Sequence, residues 1–191
     1  MRKAFAISLA LSAGILCAQE FKVGTPVADF QVRDLDGKTV SFSSLKGPVT
    51  VVTFIATQCP VSNAYNDRMI ALYKDYTPKN VKFVFMNANR SEPATEVREH
   101  ARRVGFSFPV YKDPDNVVAD RFDAQVTPES YVIDSSGVLR YHGSIDDEMN
   151  VARVHTQRLR LALDALLAGK PLPATETKAF GCTIKRVRKA S

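Results

Sequence analysis

Residues 49–56 run without a single charge and are almost all apolar or β-branched. A strand with one face in water would alternate, so an unbroken run of this kind belongs at the centre of a sheet, covered on both faces. Cys59 and Pro60 follow it almost directly. Over residues 62–75 the period then changes to that of a helix: Tyr65, Met69, Leu72 and Tyr73 share one face, and Asn66, Asp67, Arg68 and Lys74 the other. A fully buried strand feeding an amphipathic helix requires further helices to cover the sheet, which makes the chain an α/β protein.

The remaining pattern supports that frame. Residues 30–33 and 39–42 alternate around the turn Asp36-Gly37 and predict a hairpin, followed by a short helical turn over 43–47. Residues 81–86 predict a second core strand, and 92–104 a charged helix ending at Gly105. A short extended piece (108–111) and a short helix (116–122) come next. Residues 129–134 and 138–143 read as two strands joined at Ser135-Ser136-Gly137. A last helix is expected over 150–168, its apolar stripe carried by Val154, Leu159, Leu163, Leu166 and Leu167 and its end set by Gly169 and Pro171. Strands alternating with helices, then an antiparallel pair, give a mixed sheet flanked by helices. Nothing after Pro173 is periodic, so residues 174–191 form a tail beyond the domain at 19–173.

Residues 1–18 read differently. Arg2 and Lys3 precede an uncharged stretch from Ala4 to Ala18 that is too short to span a bilayer and ends in small residues, the pattern of a secretory signal cut after Ala18. Leu16 stands where a lipid-modified Cys17 would want Gly, Ala or Ser. Removal of Arg2 and Lys3, with no acid lost, takes the formal charge from +6 to +4. Removal of Cys17 leaves two cysteines, Cys59 and Cys182, a pair compatible with a disulfide in an oxidising compartment, periplasmic or extracellular. Lys185, Arg186, Arg188 and Lys189 place much of the remaining positive charge in the tail. No aromatic or groove-reading element accompanies them, so no nucleic-acid partner is expected, and no membrane contact beyond export.

Cys59 is the residue type that this position activates. Between a buried strand and a helix, a thiol meets backbone N–H groups that have no partner inside the helix, and these favour the thiolate. Pro60 suits the first turn, where a missing N–H costs nothing. His100, His142 and His155 are scattered and read as surface or structural, and no metal or cofactor is expected.

The stretch Phe54-Ile55-Ala56-Thr57-Gln58-Cys59-Pro60 resembles the F-x-A-x-x-C approach to the active site of thioredoxin-like proteins. Val23-Gly24-Thr25-Pro26-Val27-Ala28-Asp29-Phe30 and the Asp36-Gly37-Lys38 turn leading to Gly47 are similar to the front end of the redoxin branch, which holds alkyl hydroperoxide reductases, thiol-specific antioxidants and exported thiol-disulfide oxidoreductases. Val126-Thr127-Pro128 resembles the loop before that fold's cis-proline strand. The resemblance covers about residues 21–168. It implies a cis bond at Pro128, with Thr127 as the backbone that faces a substrate.

Two departures shape the functional expectation. Ser62 stands where thioredoxins carry their second thiol, so the motif is C-P-V-S, and Thr53 stands where they bury an acid. Against peroxiredoxins, Val52 and Ala56 occupy the positions of a Pro and a Thr that assist peroxide attack, and Thr127-Pro128 the region of an Arg. The leading expectation is therefore an exported thiol-disulfide oxidoreductase with Cys59 as nucleophile, acting on a thiol- or disulfide-bearing protein partner. A thiol peroxidase comes second, and a non-catalytic binding module third. The missing neighbouring thiol makes Cys182 the candidate resolving partner. A role-less tail cysteine, or one that pairs between chains, stays open, as does the oligomeric state. At about 3.3–3.6 Å per extended residue, the tail is long enough to fold back over the domain.

Overall fold

The computed structural model describes residues 20–188; the expected signal segment, with Cys17, and Lys189 lie outside them. Seven strands form one sheet in the order β2 (Thr39–Ser41), β1 (Gln31–Arg33), β5 (Val110–Lys112), β4 (Val81–Asn87), β3 (Val49–Phe54), β7 (Glu129–Ile133), β8 (Leu139–Gly143). β3, β4 and β5 run parallel, while β7 pairs antiparallel with β3, so the sheet is mixed. Every residue of β3 is buried, as its uncharged sequence requires.

Alternation along β3 divides the core in two. Val49, Val51 and Ile55 face one layer with Tyr65, Met69, Leu72, Val97, Leu159 and Leu163. Val52 and Phe54 face the other with Val84, Met86, Val118, Phe122 and Tyr131. The first layer is closed by α2 (Asn66–Tyr76), α3 (Ala94–Val104) and α5 (Arg158–Leu167); the second by α4 (Val117–Arg121) and the N-terminal hairpin. Burying each of these large apolar side chains contributes about 1.5–3 kcal/mol. The layers hold the C-terminal ends of β3 and β4 in fixed register, Phe54 opposite Met86. A crevice beyond the carboxyl ends of parallel strands is where α/β sheets place their chemistry.

Three expectations need correction. The helix expected at 62–75 is two, α1 (Pro60–Ala64) and α2, because the turn tightens at Tyr65, whose N–H bonds to Ser62 O at 3.0 Å. The last helix begins at Arg158 and not near Asn150. Asp147 draws the preceding chain into a loop, its carboxylate accepting from His155 N (3.1 Å) and its N–H donating to Thr156 O (3.1 Å). The charged helix starts at Ala94, after Pro93, which leaves Glu92 outside it.

Candidate active site

Cys59 ends the loop after β3 and caps α1. Its backbone is extended (φ −93°, ψ 115°), its Sγ accepts the Ser62 N–H at 3.3 Å, and its carbonyl accepts from Asn63 at 2.9 Å. Pro60 occupies the first turn, as expected. Ser62, in the place of a second thiol, is 1% exposed and accepts the Ala56 N–H on its hydroxyl at 3.1 Å. Its side chain thus braces the loop ahead of the cysteine. Thr53 is likewise structural, sharing a hydrogen bond of 3.0 Å with Ser130.

The Thr127–Pro128 bond is cis, and the Thr127 carbonyl oxygen lies 3.4 Å from Cys59 Sγ. Cys59 is joined to Cys182 by a disulfide, with 5.8 Å between Cα atoms across 123 residues of sequence. The tail reaches this point as a strand. β9 (Cys182–Thr183) pairs antiparallel with β6 (Val126–Thr127), setting Cys182 opposite Thr127. Gly181 allows that approach, since a β-carbon there would overlap the Thr127 carbonyl.

Anchors on both sides hold the tail down. Upstream, Thr177 N donates to His142 O (2.9 Å), and the Thr177 hydroxyl meets Tyr141 OH at 2.8 Å. Phe180 packs edge-on against Tyr65, centroids 6.3 Å apart. Downstream, Ile184 is 3% exposed in the second core layer and donates its N–H to Gln125 O at 3.0 Å. Lys185 N donates to Asn89 Oδ1 and Val187 N to Asn116 Oδ1, both at 2.7 Å, and Arg186 pairs with Asp120 at 2.9 Å.

Two buried carboxylates, neither singled out by sequence, set the geometry. Glu92 Oε2 accepts from Thr57 N (2.8 Å) and Asn87 Nδ2 (2.5 Å), and Oε1 from Gln58 N (3.1 Å) and Asn89 Nδ2 (2.9 Å). Burial works to raise its pKa, yet these four donors outweigh it and hold the carboxyl below its ordinary value. Glu129 does the same for β6: Oε2 accepts from Gln125 N (2.8 Å) and Val126 N (3.0 Å), while Oε1 meets His142 Nε2 at 2.5 Å. Its pKa too is lowered against the pull of burial, by His142 and the two backbone amides. One carboxylate therefore fixes the backbone before Cys59, and the other the backbone that receives the tail.

Below Glu92 lies Lys112, whose Nζ donates to Asn87 Oδ1 (2.5 Å), Asn89 O (3.0 Å) and Glu92 O (2.6 Å). Burial lowers its pKa to about 8 even though Glu92 and Asp113 favour the charged form. The run Asn87-Ala88-Asn89 with Glu92, placed just after a core strand, was the available signal. Its periodicity fits a loop-to-helix boundary equally well, which is why Glu92 reads as part of a solvated helix.

The histidines are structural or exposed. His142 stacks on Tyr131 (4.5 Å) and pairs with Glu129; His100 is buried beside Phe106; His155 is exposed. Among the described residues, no three His, Cys, Asp or Glu side chains gather as a metal would require, and no helix is long and apolar enough to cross a membrane.

Residues 23–142 match the AhpC/TSA family. The chain belongs to it. Its fold is the thioredoxin-like one of the redoxin superfamily. The thiol-disulfide oxidoreductase ResA of Halalkalibacterium halodurans is 28% identical over 130 residues, covering 67% of this chain and 73% of that protein. ResA of Bacillus subtilis is 29% identical over 114 residues, covering 60% and 63%. Among solved structures, an uncharacterised conserved protein from Geobacillus kaustophilus superposes with a TM-score of 0.82 at 32% identity, covering 89% of this chain and 95% of that one.

Proposed function

We propose that this chain is an exported thiol-disulfide oxidoreductase in which Cys59 is the nucleophile toward a protein disulfide and Cys182 the resolving thiol. The Cys59–Cys182 disulfide carries the reading: it supplies from the tail the second sulfur that C-P-V-S lacks. In the reducing direction, Cys59 thiolate bonds to one substrate sulfur, and the other leaves as thiolate. Cys182 thiolate then bonds to Cys59 Sγ, releasing the first substrate sulfur. Two electrons pass to the substrate, which takes up the two protons the cysteines give up. The Ser62 N–H favours the Cys59 thiolate by donating to it. Thr127 and Pro128 form the surface on which an extended substrate segment lies.

The similarity to ResA supports the activity class. The pattern of residues 1–18 and the use of a disulfide support export to an oxidising compartment, with a domain at 19–173 and a redox-active tail at 174–191. A peroxidase role has less support. Ala56 offers no hydroxyl, and Thr57 turns its own to Glu96 at 2.7 Å, so neither is available to polarise a peroxide at Cys59. The test is a trap. Cys182→Ser exposed to disulfide-bearing proteins of the same compartment accumulates a mixed disulfide at Cys59, and the wild type does not. If neither protein exchanges disulfides with any substrate, while the wild type consumes hydrogen peroxide with a dithiol, the reading fails in favour of peroxidase.

A further inference from the structure

The geometry points to Cys182, and not Cys59, as the sulfur through which a dithiol donor re-reduces the oxidised protein. This assignment rests on the thiol-disulfide reading above and adds the point of electron entry.

Access differs at the two ends of the disulfide. Cys59 is 3% exposed, and the residues that touch its sulfur, Ser62 and Thr127, are 1% and 2% exposed. A thiolate could reach that sulfur only by displacing the buried turn or the β6 backbone. Cys182 is half-buried, and Gly181 and Thr183 on either side of it are exposed. Of the two bonded residues, Cys182 is thus the one with surface open to solvent, and the tail strand covers the other.

Leaving-group chemistry has the same sense. Exchange is faster when the departing thiolate is the more stabilised one. Cys59 Sγ receives the Ser62 N–H, and no hydrogen bond reaches Cys182 Sγ among the described residues. Attack on Cys182 expels the favoured thiolate; attack on Cys59 would expel the unassisted one.

The step balances as follows. A donor thiolate bonds to Cys182 Sγ, the Cys59–Cys182 bond breaks, and its electron pair leaves on Cys59. The donor's second thiolate then bonds to the donor sulfur held by Cys182, whose sulfur leaves as thiolate. The donor ends as a disulfide, and the protons its thiols gave up are available to the two cysteines. The anchors at Thr177, Ile184, Lys185 and Val187 do not depend on the disulfide, so the tail stays tethered to the domain when residues 181–183 lift from Thr127. Cys59 becomes accessible to a substrate only after Cys182 Sγ has left it and residues 181–183 have lifted from Thr127, which separates the donor and substrate steps in time.

The test uses the oxidised chain and glutathione, a monothiol that can open the disulfide without completing reduction. Samples are quenched in acid within seconds, free thiols are alkylated, and peptides are mapped by mass spectrometry. The expected result is glutathione on Cys182 and alkylation on Cys59, in excess over the reverse by about tenfold or more. Single-cysteine variants give a second measurement that does not depend on adduct lifetime. Cys59→Ser and Cys182→Ser are each converted to the thionitrobenzoate mixed disulfide, and release by glutathione is timed. Faster release from Cys182 supports the assignment. Glutathione found mainly on Cys59, or faster release from Cys59, overturns it and leaves the oxidoreductase reading intact. A native disulfide that millimolar dithiothreitol cannot open overturns both.

Discussion

Glu92→Gln probes the structure that holds Cys59 in place. The carboxylate accepts four hydrogen bonds on two oxygens, from Thr57 N, Gln58 N, Asn87 and Asn89. A glutamine keeps one oxygen and turns an amide N–H toward the other pair, so two buried donors lose their acceptor. Each such donor costs about 1–3 kcal/mol, while removing a desolvated charge returns part of that, for a net loss of about 2–4 kcal/mol. For a domain of this size, that lowers the melting temperature by roughly 5–15 °C. The loss has a pH signature. The folded pKa of Glu92 lies below its ordinary 4.5, so its contribution is complete above that value and disappears as pH falls through the folded pKa. Urea unfolding of the oxidised wild type and variant should show a gap at pH 7 that narrows below pH 4.5. Other carboxylates titrate equally in both proteins and cancel. A gap under about 0.5 kcal/mol at pH 7, or one unchanged down to pH 3, would refute the claim that an ionised Glu92 organises this loop.

Further predictions concern the tail and its support. Gly181→Val places a side chain against the Thr127 carbonyl; the tail then cannot pair with β6, and mass spectrometry after air oxidation should find free Cys59 and Cys182 thiols in place of the intramolecular disulfide. Ile184→Ala empties a buried site and should cost about 2–4 kcal/mol, with hydrogen exchange at residues 183–187 accelerating before that of β3. Lys112→Met removes a cation whose folded pKa, about 8, lies below its ordinary 10.5. Between those values the unfolded chain binds more proton, so wild-type stability relative to the variant should rise from pH 8 to pH 10; calorimetry that finds a flat or falling difference would contradict the assignment.

Much of the fold was legible in the chain. The uncharged run at 49–56 could only be a central strand, and it is β3; the amphipathic stretch after Cys59 could only be helical, and it is, apart from the tightened turn at Tyr65. The helix start at 158 was not legible, because Val154 continues the apolar spacing while the backbone bonds of His155 and Thr156 go to Asp147, a choice made by loop closure. Glu92 was hidden for a related reason: a carboxylate at the mouth of a charged helix reads as solvated until the ends of β3 and β4 surround it.

The sequence by itself determined a cysteine between a buried strand and a helix, because uncharged composition, proline placement and helical period are local properties. It left Cys182 as one candidate among alternatives. Only the tertiary structure decided that the tail lies on β6 with Cys182 opposite Thr127. That placement depends on contacts spread across the chain: Gly181 against Thr127, Ile184 in the second core layer, and Lys185 and Val187 bonded to asparagines nearly a hundred and some seventy residues earlier. No periodicity records such contacts, since each pairs residues that are distant in sequence and ordinary in type. Cys59 is prepared by its neighbours in the chain; its partner is chosen by the packed core.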